Sequence, residues 1–193
     1  MRWYLSQLSG IIFLAGFVPY IMAIVRRQAQ PMKASWLIWM SLDGLTLAGM
    51  YAKHSVNGQI VGATMGAVVV FFLSLKYGKP GWTRVDQWSL VGAVIGIGLW
   101  WGFDSPVLGI LMAQVTGLVG AIPTFVNVWR RPQDEPRFGW CFFWASCLPA
   151  LLAIPAISWE HTIQPLGFLT GNSIMMYLLF IHRPVPHPRA VRV

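Results

Sequence analysis

At 193 residues the chain is long enough for one domain, yet 56 % of its residues are hydrophobic and only 10 % charged, with a mean hydropathy of +0.59. A soluble domain carries roughly 25 % charged residues, so too few polar groups remain to coat a water-facing surface. The formal charge of +8 suits nucleic acid, an anionic membrane face or an orientation signal, and its placement along the chain decides between them.

Crossing about 30 Å of hydrocarbon takes about 20 apolar residues. Such runs fall in chain order at 5–25, 34–52, 57–75, 87–103, 107–129, 138–158 and 162–181. The second contains Asp43, and the fourth is short and Gly-rich. The positives beside the first run follow it instead of preceding it, which argues against a cleaved signal peptide. Basic residues cluster at alternate connections: Arg26, Arg27 and Lys33; Lys76, Lys79 and Arg84; Arg130, Arg131 and Arg137; then Arg183, Arg189 and Arg192. Placing these inside leaves only Arg2 and Lys53 outside, as the positive-inside rule requires. The N-terminus is therefore expected outside and the C-terminus inside. Basic residues spread over four segments form no nucleic-acid face, so no nucleic-acid partner is expected. Cys141 and Cys147, six residues apart on opposite sides of one helix, suggest neither a disulfide nor a metal site.

An internal repeat organises these runs. An offset of 104 pairs Leu14 with Leu118, Gly16 with Gly120, Pro19 with Pro123, and Arg26-Arg27 with Arg130-Arg131. After a one-residue insertion at Pro132, Gln28 meets Gln133, Pro31 meets Pro136, Trp39 meets Trp144 and Ser41 meets Ser146. Gln59 then meets Gln164, Gly62 meets Gly167 and Gly66 meets Gly171. Two three-helix units joined directly would be inverted relative to one another, and the fourth run restores parallel orientation. The expected fold is an all-α integral membrane protein of seven transmembrane helices arranged 3+1+3. Its parts are a first repeat at 1–80, a linker helix at 81–104, a second repeat at 105–181 and a basic, Pro-rich cytoplasmic tail at 182–193.

The seven-span layout, the N-out orientation and a proline late in the first helix of each unit before a basic loop (Pro19-Tyr20 to Arg26-Arg27, Pro123-Thr124 to Arg130-Arg131) resemble the SWEET, SemiSWEET and PQ-loop superfamily of small-solute transporters. The bacterial nicotinamide-riboside uptake family shares the layout and is a second relative. Neither proline is followed by Gln. Pro149 pairs with Gly44 under the repeat, and Asn172 with Ala67, so the second-helix proline and the sugar-facing asparagine of that superfamily each occur once. The resemblance implies alternating access to a small polar solute, sugar-like or another small metabolite, in a bacterial inner membrane. A non-transporting receptor or assembly factor of the same fold is the alternative.

Asp43 is the one acid deep in a run, where a charge is costly and usually faces a cavity. It is a candidate proton carrier or partner of a cationic solute, or else a protonated group bonded to a neighbouring helix. Trp39 and Trp144, on faces shared with Asp43 and Cys147, could clamp a ring or anchor at the interface; Trp36 and Trp140, nearer the helix ends, read as anchors. Gln59 and Gln164 each precede a small-xxx-small pair that suits close helix contact, and Asn172 offers both donor and acceptor. These six, Asp43, Trp39, Trp144, Asn172, Gln59 and Gln164, are the expected solute-binding residues. Pro19 and Pro123 each remove a helix hydrogen bond and are expected as hinges. No motif for catalysis, metal or cofactor binding occurs, so no enzyme activity and no cofactor are expected. The expected partners are a small-molecule solute and a bilayer with an anionic cytoplasmic leaflet; a fused repeat makes a monomer sufficient and leaves a homo-oligomer open.

Overall fold

A computed structural model describes residues 1–130, 132, 135 and 137–182 of the protein, apart from the side chains of Pro123 and Asn127. Among these residues the fold is all-helical. Its elements are α1 (Arg2–Val25), α2 (Lys33–Ala52), α3 (Gly58–Tyr77), α4 (Arg84–Phe103), α5 (Pro106–Gly120), α6 (Ile122–Arg130), α7 (Arg137–Leu152) and α8 (Trp159–Met176), the last continuing into a π-helical turn, Tyr177–Ile181. Only Ala121 separates α5 from α6, so the described residues form seven helical rods, one over each apolar run.

Local chemistry sets the ends of these rods. Asn57 caps α3 by accepting the Ile60 N–H at 3.0 Å. Thr83 and Asp86 close a capping box on α4, each satisfying a donor that the helix start leaves unpaired. Arg27 and His54, with φ of 58° and 52°, turn the chain out of α1 and α2, a left-handed conformation uncommon for residues with a side chain.

Packing follows the small residues. In the first half α3 lies against both α1 and α2; in the second α8 lies against both α5 and α7; α1 also packs on α7, α2 on α5, and α4 chiefly on α5. The α1–α3 approach is backbone on backbone. A Cβ at Gly10 would collide with the Gly58 carbonyl, and one at Gly62 would sit 2.6 Å from the Gly10 carbonyl. Gly16 and Gly139 bring α1 and α7 together in the same way. Beside these contacts Phe13 and Phe17 of α1 fill the centre with Phe143, Phe168 and Trp36. Ring centroids stand 4.6 Å apart for Phe13–Phe143 and 5.4 Å for Phe13–Phe168. Trp36 meets the rings of Phe17 and Tyr20.

The connections gather at two ends. At one, Lys79 N–H donates to the Pro31 carbonyl at 2.9 Å and Lys33 N–H to the Lys79 carbonyl at 3.2 Å, joining two of the basic loops. At the other, Arg2 Nη1 donates to the Pro155 carbonyl at 3.1 Å and Gly58 N–H to Ser6 Oγ at 2.8 Å.

Three helical stretches, Arg2–Val25, Gly58–Tyr77 and Pro106–Arg130, are long and apolar enough to cross a membrane, and Arg137–Leu152 is a shorter apolar helix. The remaining rods are diluted by polar residues: Lys33 and Asp43 in α2, Arg84 and Asp86 in α4, Glu160, Gln164 and Asn172 in α8. Large apolar side chains face outward on several rods, among them Ile11, Phe72, Val94 and Trp101. Exposure on that scale is what a water-soluble surface avoids and a bilayer accepts.

The glycine contacts make a paired prediction. Gly10→Ala should force α1 and α3 apart and lower stability by about 1–3 kcal/mol, as overpacking does. Gly98→Ala, at a position with nothing within 4 Å, should be neutral or stabilising by up to about 1 kcal/mol. Melting temperatures of the two variants in detergent read the difference.

Candidate functional site

The buried polar groups form a chain of hydrogen bonds between α3, α7 and α8. Asn57 Nδ2 donates to Gln164 Oε1 at 2.8 Å, and Gln164 Nε2 donates to Gln59 Oε1 at 3.1 Å. Gln59 Nε2 then donates to Ser146 Oγ at 2.9 Å and reaches Cys147 Sγ at 3.3 Å. Asn172 Nδ2 donates to the Phe168 carbonyl at 2.8 Å and lies 3.9 Å from the same sulfur. Gln59, Gln164, Ser146 and Cys147 are fully enclosed. Three of the expected residues, Gln59, Gln164 and Asn172, thus belong to one network, and the two glutamines paired by the repeat bond directly to each other. Each amide can donate and accept, which lets the chain satisfy itself without water.

Asp43 stands apart from this network. It lies in the buried stripe of α2 with Leu42 and Thr46, is 9 % exposed, and has no hydrogen bond or ion pair among the described residues. One turn further along α2, Thr46 Oγ1 accepts from Gln114 Nε2 at 3.0 Å. The contrast with Asp86, 6 % exposed, is chemical. Asp86 accepts from Ser35 Oγ at 2.8 Å, Thr83 N–H at 2.8 Å and Thr83 Oγ1 at 2.7 Å, fixing the start of α4 to the start of α2. Asp43 has no such employment.

Trp144 is half-buried and donates through Nε1 to Ser173 Oγ at 3.0 Å, beside Asn172. Its repeat partner Trp39 is also half-buried but has neither a ring contact nor a hydrogen bond among the described residues. Trp140 donates to Glu135 Oε2 at 3.3 Å and meets Phe143 edge-on. Pro19 sits inside an unbroken α1. Pro123 follows the interruption at Ala121, and its side chain lies outside the described residues, as do Arg131, Gln133, Pro136 and the tail from Arg183 onward.

Cavities lie at both ends of this core. One of about 180 Å³ opens where Arg2, Ser6, His54, Asn57, Ala153 and His161 converge. The other, of about 320 Å³, lies at the basic end among Arg27, Gln30, Lys76 and Tyr77. Between them stand the amide chain and the cluster of Phe13, Phe17, Phe143 and Phe168. Among the described residues no three His, Cys, Asp or Glu side chains gather as metal ligands would.

Sequence reasoning did not single out Asn57, Ser146, Thr46, Gln114 or Asp86. Only Asp86 left a readable signal, the Thr83-x-x-Asp86 spacing of a capping box. The others are small or neutral polar residues whose partners lie far along the chain.

No protein-family model, curated protein or solved structure matches the chain.

The isolated Thr46–Gln114 bond gives a clean test of what burial demands. Thr46→Val keeps the shape but leaves the Gln114 amide without its acceptor, and should cost about 1–3 kcal/mol. Ser41→Ala, which loses only a bond to the Leu37 carbonyl on an exposed face, should stay within about 0.5 kcal/mol. Thermal unfolding of the two variants side by side checks this.

Proposed function

We propose that the protein is a membrane carrier that moves a small polar solute by alternating access between two parallel three-helix units. The units are α1–α3 and α5–α8, joined by α4 in a 3+1+3 arrangement of the SWEET type. The proposal sets it in a bacterial inner membrane with the basic end cytoplasmic and the N-terminus outside. The helix contacts support the paired units, because each relation in the first half has its counterpart in the second under the repeat: α3 on α1 as α8 on α5, and α1 on α7 as α5 on α2.

The observation that carries the reading is Asp43. A largely buried carboxyl midway along a span, without the hydrogen bonds that employ Asp86, is expensive unless something transient occupies it. A proton or a solute group arriving during the cycle supplies that occupant. Trp39, one turn away on the same stripe of α2, offers a free indole face and N–H to a ring or hydroxyl. Trp144 and Asn172 present the corresponding groups from the second unit. Pro19 and Pro123, each without an N–H to give its helix, are the proposed hinges.

Two measurements test the reading in order. Purified protein is melted against sugars, nucleosides, amino acids and amines at pH 5.5 and 7.5, because a ligand of the native state raises apparent stability by mass action. The stabilising compound is then followed into liposomes. Uptake is expected in the wild type, and Asp43→Asn is expected to slow it by about tenfold, the equivalent of about 1.4 kcal/mol, and to flatten its pH dependence. Unchanged uptake and pH dependence in Asp43→Asn would remove the acid from the scheme. Binding with no flux would instead favour a receptor or assembly factor of the same fold.

A further inference from the structure

Building on the carrier reading, we infer that Asn57, Gln164, Gln59 and Ser146 are the gate that closes the solute route at the end opposite the basic loops. Asn57 is the hinge point between water and core. It lines the 180 Å³ cavity and is half-buried, and the residue to which it donates, Gln164, is fully enclosed. Accessibility therefore falls to nothing across one hydrogen bond. Behind that bond the chain continues through Gln59 to Ser146 and Cys147, whose sulfur is shared with Asn172. The cavity is the vestibule, the amides are its floor, and Cys147 lies immediately beneath.

The way the helices are held distinguishes a gate from a static core. Within the first unit α1 and α3 are locked by backbone contact at Gly10, Gly58 and Gly62, which cannot part without losing close packing along the whole stripe. Across the units α1 and α7 also meet at Gly16 and Gly139, at the end of α7 away from the cavity, whereas at the cavity end the bond between α3 and α8 is made by long amide side chains. Neutral hydrogen bonds of this kind exchange for water or for a solute hydroxyl at small net cost. Gln59 and Gln164 are repeat partners, so a rocking of one unit against the other pulls on both amides together. The gate also states a solute class. Its four residues carry donors and acceptors but no charge, so an uncharged solute bearing hydroxyl or amide groups can replace each bond in turn, whereas an ion would meet no countercharge there.

Cys147 is a native reporter. In a Cys141→Ser background it is the sole thiol, and its modification by a charged, membrane-impermeant methanethiosulfonate is followed by mass on protein in nanodiscs. Asn57→Ser keeps the α3 cap, since Ser serves at that position as well as Asn, but is too short to hold Gln164; Gln164→Ala removes the central link. Each is expected to raise the modification rate by at least about tenfold through local opening. Thr46→Val, which breaks a buried bond elsewhere, is expected to leave the rate near the wild-type value despite its lower stability. Should Gln164→Ala fail to accumulate, Asn57→Ser carries the test. Rates unchanged in Asn57→Ser, or raised equally by Thr46→Val, overturn the gate and make the amides a static core. Unchanged modification beside measured solute flux retires the gate alone. Faster modification with no flux in liposomes keeps the gate and retires the carrier.

Discussion

The bond from Gln164 Nε2 to Gln59 Oε1 is the interaction on which the interior depends. Many large apolar side chains face outward on these rods, and in a bilayer every buried polar group must find its partner within the protein. Two glutamines near the starts of α3 and α8 meet that demand by satisfying each other. In doing so they draw together helices that the glycine contacts do not join. Asn57 and Ser146 complete the set on either side. The glycines hold other pairs: Gly10, Gly58 and Gly62 set α1 against α3 within the first half, and Gly16 and Gly139 set α1 against α7 across the halves.

Asp43 and Asp86 show that burial alone does not define a working residue. Both are enclosed acids on neighbouring elements, and a ranking by depth would treat them alike. Asp86 has its lone pairs engaged by Thr83 and Ser35, so its charge belongs to the architecture. Asp43 is similarly buried and has no hydrogen-bond or ion-pair partner among the described residues. The distinction lies in what surrounds each oxygen, which is why it favours Asp43 for transient occupancy and assigns Asp86 to the joint between α4 and α2.

Much of the fold was legible because helix length and apolar content are local quantities. All seven runs became helical rods, and the alternating clusters of Lys and Arg anticipated that the loops around Pro31 and Lys79 would lie together. Three stretches keep the full apolar length of a span, while α2, α4 and α8 carry the polar residues that the interior uses. The site was legible only in part. Gln59 and Gln164 could be found because the repeat aligned them, but alignment does not say that repeat partners touch; that depends on both lying where the two halves face each other. Depth along a helix does not say which way an indole points, so the ring contacts of Trp36 with Tyr20 and Phe17 left no signal. Asn57, Thr46 and Gln114 left no signal, since a lone Thr or Asn is common in any helix and their partners lie 68 and 107 residues away.

The departures from the repeat bear most directly on how such a molecule could work. Where the first half has Gly10 in backbone contact with Gly62, the second has Gln114 against Gly167, a side chain in place of a bare approach, which reaches on to Thr46. Where the second half has Leu148, the first has Asp43; where the first has Ala67, the second has Asn172. Each exchange gives one half a polar group that the other lacks, and Leu148, the partner of Asp43, faces outward. A symmetric pair of halves would hold a solute equally from both sides. These substitutions instead give α2 of the first half the single acid and α8 of the second the neutral amide. Under the carrier proposal, an uncharged solute lying between them would meet the acid on one side and the neutral amide on the other. The repeat thus supplies a shared frame, and its breaches distribute the polar groups unequally between the halves.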